Sequence, residues 1–273
     1  MARYIVAVSG GVDSVALLDM LVQVPGHDLV VAHFDHGIRD DSGRDALFVE
    51  SLAKKYNLPF ETHREELGKG ASEEKARERR YAYLRDLAQK YNSRIVTAHH
   101  SDDAVETVAI NFQRGTGWRG LAVLDSDIVR PLLHTSKAEL QDYAQRKSLV
   151  WREDSTNASD TYLRNRLRKR AVALSEDEKL QLLALRHQQI ASKRLIDQEV
   201  SRLVGPGPSY SRYFFTHVPK KVALECLRYV TDARLTRPQL ERALLAIKTA
   251  TPGTTQQAGS GVNLRFTTRN FSL

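Results

Sequence analysis

The sequence predicts an α/β protein: a doubly wound, mainly parallel sheet followed by a small, mainly helical α+β domain. Three observations carry this. In the first half, short apolar runs alternate with amphipathic stretches of helix length, the pattern of βαβ units. The chemically unusual residues cluster just after those runs, at 9–14, 33–39 and 99–107, where parallel sheets place their ligands. Beyond Trp151 the alternation ends and helical periodicity takes over.

Taken in order, Tyr4–Val8 reads as a buried strand, followed by glycines and a helix through Val15, Leu18 and Leu21. Asp28–Phe34 is a second strand, with a helix near Asp45–Tyr56. Pro59–His63 is a weaker strand, Ser72–Tyr91 a long charged helix and Arg94–His99 another strand. Further on, Tyr162–Leu174 and Glu176–Leu203 are helical, the second long and polar enough to bridge two domains. Gly205-Pro206-Gly207-Pro208 cannot continue a helix. Pro219–Tyr229 and Arg237–Lys248 follow as helices, then a Thr/Gly-rich turn and a terminal strand, Val262–Thr267. The expected organisation is a catalytic domain at 1–175, a helical linker at 176–205 and a small basic domain at 206–273.

Charge divides the chain unevenly. Residues 1–159 hold 21 Lys+Arg against 24 Asp+Glu, whereas residues 160–273 hold 20 against 9. A near-neutral front and a basic back suggest a catalytic module joined to one that binds a polyanion, nucleic acid above all. The mean hydropathy of −0.43 and the lack of any apolar run near the roughly 20 residues of a membrane span exclude an integral membrane protein. One cysteine, Cys226, excludes an internal disulfide framework and any multi-cysteine metal site within the chain. A cytoplasmic location is expected.

Ser9-Gly10-Gly11-Val12-Asp13-Ser14 follows the first strand and opens the first helix. Glycines let backbone approach an anion, and the N–H groups of a helix start point at it. No G-x-x-x-x-G-K-[ST] occurs, so this is not the phosphate loop of kinases and GTPases. The plainer alternative is a tight turn capped by Ser9 or Asp13. Gly115-Thr-Gly117-Trp-Arg-Gly120 matches a dinucleotide fingerprint but follows a helix instead of a strand, so it lacks the required context.

Two more segments are dense in chemistry. His33-Phe-Asp35-His36-Gly37-Ile38-Arg39 ends the second strand, and His99-His100-Ser-Asp102-Asp103-Ala-Val-Glu106-Thr107 ends a later strand and opens a helix. His33 and His36 lack a third soft ligand for zinc. Asp35 can hold an ammonium group or Mg²⁺, or simply make local hydrogen bonds at a strand end. Asp103 and Glu106, three apart, share one face of a helical turn, while Asp102 and Ser101 have an alternative as helix caps. Tyr162-Leu-Arg164-Asn165-Arg166-Leu-Arg168-Lys169-Arg170 packs five cations into nine positions, too many to face one ligand from a helix. Cys226 lies on an amphipathic helix and reads as a buried structural residue.

SGGVDS after strand one resembles the pyrophosphate loop of the N-type ATP pyrophosphatases. The segments HFDHGIR, HHSDDAVET, Arg130-Pro-Leu-Leu, Glu153-Asp-Ser-Thr-Asn157 and the arginine cluster narrow the resemblance to the tRNA(Ile)-lysidine synthetases, strongly over roughly 1–170 and weakly over 219–273. The resemblance implies a ligase. ATP would adenylate the C2 oxygen of the wobble cytidine in a tRNA(Ile) precursor with a CAU anticodon. The ε-amino group of free L-lysine would then displace AMP, which moves decoding from AUG to AUA.

It further implies that Ser9, Gly10, Gly11, Val12, Asp13 and Ser14 bind ATP, with Mg²⁺ at Asp13. Asp35, Asp103, Glu106 and Arg166 would be catalytic, and His33, Arg39, His99, Asp102, Arg164, Asn165 and Arg168 would contact substrates. A homodimer is among the expected assemblies. The chain reads as ending soon after the family's first C-terminal domain, so its grip on the acceptor stem is expected to differ. Rival readings are a tRNA thiolase of the same loop family, a small-molecule adenylating ligase, and a basic RNA-binding module on a degenerate nucleotide fold. The single cysteine weighs against the first, the basic tail against the second and the intact loop and acidic residues against the third.

Overall fold

A computed structural model describes residues 2–37, 43–68, 70–152 and 174–273. In chain order the elements are β1 (Ala2–Ala7), α1 (Val12–Val22), β2 (His27–Asp35), α2 (Gly43–Lys55), β3 (Phe60–Arg64), α3 (Glu73–Lys90), β4 (Arg94–Val96) and α4 (Ser101–Gln113). A 3₁₀ turn at Trp118–Leu121 leads to α5 (Lys137–Arg146) and the long α6 (Glu176–Val204). Then come β5 (Tyr210–Ser211), α7 (Arg212–His217), α8 (Lys220–Val230), α9 (Arg237–Thr249), β6 (Thr255–Gly259), β7 (Val262–Phe266) and β8 (Asn270–Ser272).

The first sheet has the order β3-β2-β1-β4, every pair parallel, and a bridge from Val96 to Val129 widens it beyond β4. Successive side chains of a strand point to opposite faces, and the core divides accordingly. Val6, Val31 and Val96 pack with Leu17, Leu18, Val49, Leu52 and Leu140 of α1, α2 and α5. Their neighbours Ile5, Val30 and Ile95 pack with Tyr81, Leu84 and Leu87 of α3. Helices thus cover both faces, and the sheet is doubly wound and parallel as the sequence predicts. Because both faces are buried, β1 and β2 carry continuous apolar runs instead of alternating ones.

β4 is shorter than Arg94–His99. The Thr97 N–H already bonds to Val129 O at 3.0 Å, and the chain then leaves the sheet to reach the start of α4 at His100. The helix expected at Tyr162–Leu174 lies almost entirely outside the described residues.

The chain divides into two compact units, Met1–Ile190 and Ala191–Leu273. The second has its own core, with Phe215, Cys226, Leu227, Ile247, Leu264 and Phe271 buried between its helices and an antiparallel sheet of order β5-β8-β7-β6. Arg212 fastens that core: its guanidinium donates to Ile247 O, Thr267 O and Ala250 O at 2.8–2.9 Å. Residues 1–190 hold 28 Lys+Arg against 28 Asp+Glu, whereas residues 191–273 hold 13 against 5, so the whole net charge of +8 belongs to the second unit. Among the described residues, no helix is long and apolar enough to cross a membrane.

Candidate active site

The carboxyl ends of β1, β2 and β4 bring the three chemically dense segments to one edge of the parallel sheet. After β1, Gly10 adopts φ +95, a left-handed conformation that disfavours any residue with a side chain, and a Cβ there would press on Phe48 at 3.4 Å. Gly11 is the N-cap of α1 and, having no side chain, makes no side-chain cap of its own. The Ser14 hydroxyl donates to Gly11 O at 2.9 Å and lies 3.2 Å from the Ser9 hydroxyl, while Ser9 Oγ accepts from Gly11 N–H at 3.4 Å. The serines therefore brace the loop at the start of α1, whose N-cap residue is a glycine with no capping side chain of its own. Such an end attracts an anion.

Chain from beyond α5 braces this loop. Arg152 N–H bonds to Gly10 O at 2.9 Å, and its guanidinium pairs with Asp45 in the first turn of α2. Sequence reasoning misses Arg152, because nothing local links it to a loop 140 positions earlier.

At the end of β2, His33 is buried and its Nδ1 lies 2.8 Å from Val8 O. Asp35 is also buried: Oδ1 accepts from Gly37 N–H at 2.9 Å and Oδ2 pairs with Arg64 at 3.2 Å. These bonds tie the end of β2 to the residue after β1 and to β3, with Gly37 as the one partner close in sequence. Arg39 lies outside the described residues. Burial, seconded by the Arg80 charge, lowers the His36 imidazole to about 4 against the opposing Asp35 charge.

After β4, His100 caps α4 through its backbone, whose N–H donates to Asp103 Oδ2 at 3.0 Å. Capping thus falls to Asp103 at the third helical position, and Asp102 does something else. Its Oδ2 accepts from Lys137 N–H at the start of α5, at 2.8 Å, while Oδ1 lies 3.7 Å from Lys179 Nζ at the start of α6. The buried His100 ring sits among three carboxylates: Asp102 at 3.5 Å from Nδ1, with Asp103 at 3.5 Å and Asp13 at 3.8 Å from Nε2. Burial pushes the His100 imidazole down, but these carboxylates outweigh it and the net shift is upward. His100 holds the Asp102 carboxyl far below the usual range, with help from Lys137 N–H. His99 is driven the other way, to about 4, by burial and by the Arg130, Arg77 and Arg80 charges, with Asp103 opposing. Glu106 is buried on the same helix.

Asp13, from the glycine loop, is thus within ion-pair reach of the α4 cluster, so an anion-attracting helix start and a set of carboxylates adjoin. The sequence reading omits His100, Arg77 and Arg80. Ser72–Tyr91 reads from sequence only as a long charged helix, and the fold brings two of its arginines near His99. Arg164, Asn165, Arg166 and Arg168 lie outside the described residues. Cys226 is buried in the second unit's core, and burial raises its thiol to about 11. The 115–120 segment follows α4 and continues into the 3₁₀ turn, so the strand needed for a dinucleotide fingerprint is absent there.

A glycine loop leading from β1 into a helix start, without the lysine of kinase-type phosphate loops, on a 3-2-1-4 parallel sheet defines an α/β protein of the nucleotide-binding class. The chain belongs to the PP-loop family, whose domain profile matches residues 1–174. It is 34% identical over 96% of its length to a tRNA(Ile)-lysidine synthase of Thermus thermophilus, covering 54% of that protein. It is 42% identical over 61% of its length to one of Solibacter usitatus, covering 39% of it. The chain therefore spans about half the length, or less, of these curated relatives. A U34-tRNA thiolase from Methanococcus maripaludis shares the fold, with a TM-score of 0.56 at 16% identity over 71% of each chain.

Proposed function

We propose that the chain catalyses the lysidine-forming ligation: ATP, free L-lysine and a tRNA(Ile) precursor with a CAU anticodon give lysidine at the wobble position, AMP and pyrophosphate. The observation that carries the reading is the adjacency of the glycine-capped start of α1 to the carboxylates of α4, with Asp13 and Asp103 both within 3.8 Å of His100 Nε2. One side suits a triphosphate and the other an ammonium group. The similarity to lysidine synthases over 96% of the chain supports the particular substrates.

In this reading, the C2 oxygen of the cytidine attacks the α-phosphorus and pyrophosphate leaves toward the Ser9–Ser14 loop. The lysine nitrogen then bonds to C2, and AMP departs with the base oxygen. Lysine has an ordinary pKa of about 10.4, so only about one molecule in 2,500 is neutral at pH 7 and its ammonium must lose a proton before attack. Asp103 and Glu106 are proposed to hold that ammonium and one of them to take the proton. Asp35, already oriented by Gly37 and Arg64, is proposed to sit between nucleotide and lysine. His33, Arg39, His99 and Asp102 are assigned to the substrate-binding surround, and Arg164, Asn165, Arg166 and Arg168 to the phosphates and the tRNA.

Among the described residues, no three His, Cys, Asp or Glu side chains are arranged to cage a metal ion. The donor chemistry suits Mg²⁺ brought on the ATP phosphates, where Asp13 supplies one carboxylate. The ion would neutralise phosphate charge; every other role falls to the side chains named. Residues 1–175 are proposed to carry the chemistry and the basic unit to hold the tRNA. A thiolase reading is disfavoured because Cys226, the one cysteine of this chain, is fully buried. Pyrophosphate release measured with the tRNA(Ile) transcript, with and without lysine, tests the proposal, together with mass spectrometry of the wobble nucleoside. Unmodified cytidine after full pyrophosphate release would overturn it.

A further inference from the structure

The second unit carries a surface feature that the ligation chemistry does not use. On the short helix α7, Tyr213 is 70% exposed, and its ring stacks on His217 with centroids 3.8 Å apart and planes 21° from parallel. Neither ring is loosely placed. His217 Nδ1 lies 2.8 Å from Tyr213 O and 2.9 Å from the Thr216 hydroxyl, which fixes the imidazole under the phenol. Helix α7 is itself anchored: the buried Phe215 faces the core, and the neighbouring Arg212 is bonded to three backbone carbonyls. One turn of helix thus presents a preordered aromatic pair to solvent.

Exposed cations lie near it along the chain and across one backbone bond. The exposed Lys220 and Lys221 follow His217 by three and four residues. The exposed Arg269, in the bend just before β8, meets the start of α7 through its backbone, its carbonyl accepting from Arg212 N–H at 2.9 Å. The pair also stands on the unit that holds the chain's entire net charge of +8. Exposed aromatic rings beside lysines and arginines are how proteins hold unpaired bases: the ring stacks on the base and the cations meet the phosphates. A protein partner would find an exposed ring on a strongly basic unit, a poor interface core.

We infer that the Tyr213–His217 pair is a stacking platform for an unpaired base of RNA, with Lys220, Lys221 and Arg269 meeting the adjoining phosphates. This rests on the tRNA reading for its biological ligand, but the platform itself is a property of the second unit. Stacking and phosphate contacts leave different signatures, because phosphate contacts release counterions and stacking does not.

The full-length chain serves for the test, with fluorescence anisotropy on labelled tRNA(Ile) transcript and on a single-stranded RNA of roughly 12 nucleotides, within the usual site sizes. Tyr213→Ala should weaken binding of both by about 5- to 100-fold, the range for one lost base stack, with an unchanged slope of log K against log salt. Tyr213→Phe and Tyr213→Trp should keep affinity within about threefold, because every aromatic ring offers a stacking face. Lys220→Ala/Lys221→Ala should lower the slope by about 1–2. Tyr213→Ala binding as tightly as the unaltered chain, with both thermal transitions intact, would overturn the platform. So would Tyr213→Phe losing as much as Tyr213→Ala, since the hydroxyl would then be the contact. Absence of lysidine in the ligation assay with these anisotropy results intact would remove the proposed reaction and leave the platform standing.

Discussion

Asp102 gives the sharpest test of how the α4 cluster is built. Its carboxylate ties the starts of three helices together, meeting Lys137 N–H at 2.8 Å, His100 Nδ1 at 3.5 Å and Lys179 Nζ at 3.7 Å. A hydrogen bond to a charged partner contributes about 1.5–3 kcal/mol. The side chain is 34% exposed, so solvent screening reduces the two longer ion pairs without removing the one to the buried His100. Asp102→Ala should cost the first unit about 2–3 kcal/mol, and Asp102→Asn about 1–1.5 kcal/mol because the amide oxygen still accepts from Lys137.

The pH dependence follows from the two shifts. Asp102 is depressed in the folded chain, so its contribution is complete above the unfolded value of about 3.9 and is lost as pH falls through the folded value. His100 is raised, so its contribution is complete below about 6.5 and is lost as pH rises through its folded value. The gap between the parent chain and Asp102→Asn is therefore widest from about pH 4 to 6.5 and narrows on both sides. Urea unfolding followed by tryptophan fluorescence measures it, since the only tryptophans, Trp118 and Trp151, both lie in the first unit. A gap that stays constant from about pH 3 to 8, or grows above pH 8, would refute the charge pairing at His100.

Two further outcomes bear on the reaction. Ser9→Ala/Ser14→Ala should abolish pyrophosphate release while leaving the melting temperature within a few degrees, because both hydroxyls shape the loop at a helix start; full release in a folded double variant would remove the phosphate-loop assignment. Asp103→Asn and Glu106→Gln should raise the KM for lysine by about tenfold or more, the effect of losing one charged contact, and raise that for ATP much less. Equal losses for both substrates would move these carboxylates to the nucleotide.

The parallel sheet is legible because its strands are buried on both faces and so are written as apolar runs. The glycine loop is legible because its whole mechanism is local: two glycines, two serines and a helix start within six residues. Elements whose stability comes from a distant partner are not. β6 is an exposed edge strand, TQQAG, with no apolar signal of its own; it exists because β7 pairs with it. Helix α5 was within reach, since Ser136 and Glu139 form a reciprocal cap whose S-x-x-E spacing is visible in the sequence. At the site, the HHSDDAVET segment announces carboxylates but not their division of labour. That division depends on Lys137, Lys179 and Asp13, which reach Asp102 and His100 only through the fold.

The charge imbalance between the units yields a quantitative expectation for tRNA. Several cations of the second unit are committed internally: Arg212 to three carbonyls, Arg202 to Glu199, and Lys220 and Arg237 to Glu241. Exposed Lys221, Arg242, Lys248, Arg265 and Arg269 remain as candidates for phosphate. Each phosphate neutralised contributes roughly 0.7–0.9 to the slope of log K against log salt, so five contacts correspond to a slope of about −3.5 to −4.5. Lys220 can join only by leaving Glu241, a pair 3.6 Å apart and exposed enough to exchange at little cost. Replacing Lys221, Arg242 and Arg265 together by alanine should flatten the slope by about 2–3 and weaken all RNAs alike, because phosphate contacts carry no sequence. The preference for the CAU anticodon loop over other tRNAs should survive, since it would be read where the cytidine enters the first unit. A triple variant that keeps the parent slope would mean that these cations do not meet the backbone, and the proposed division between a catalytic unit and a tRNA-holding unit would fail with it.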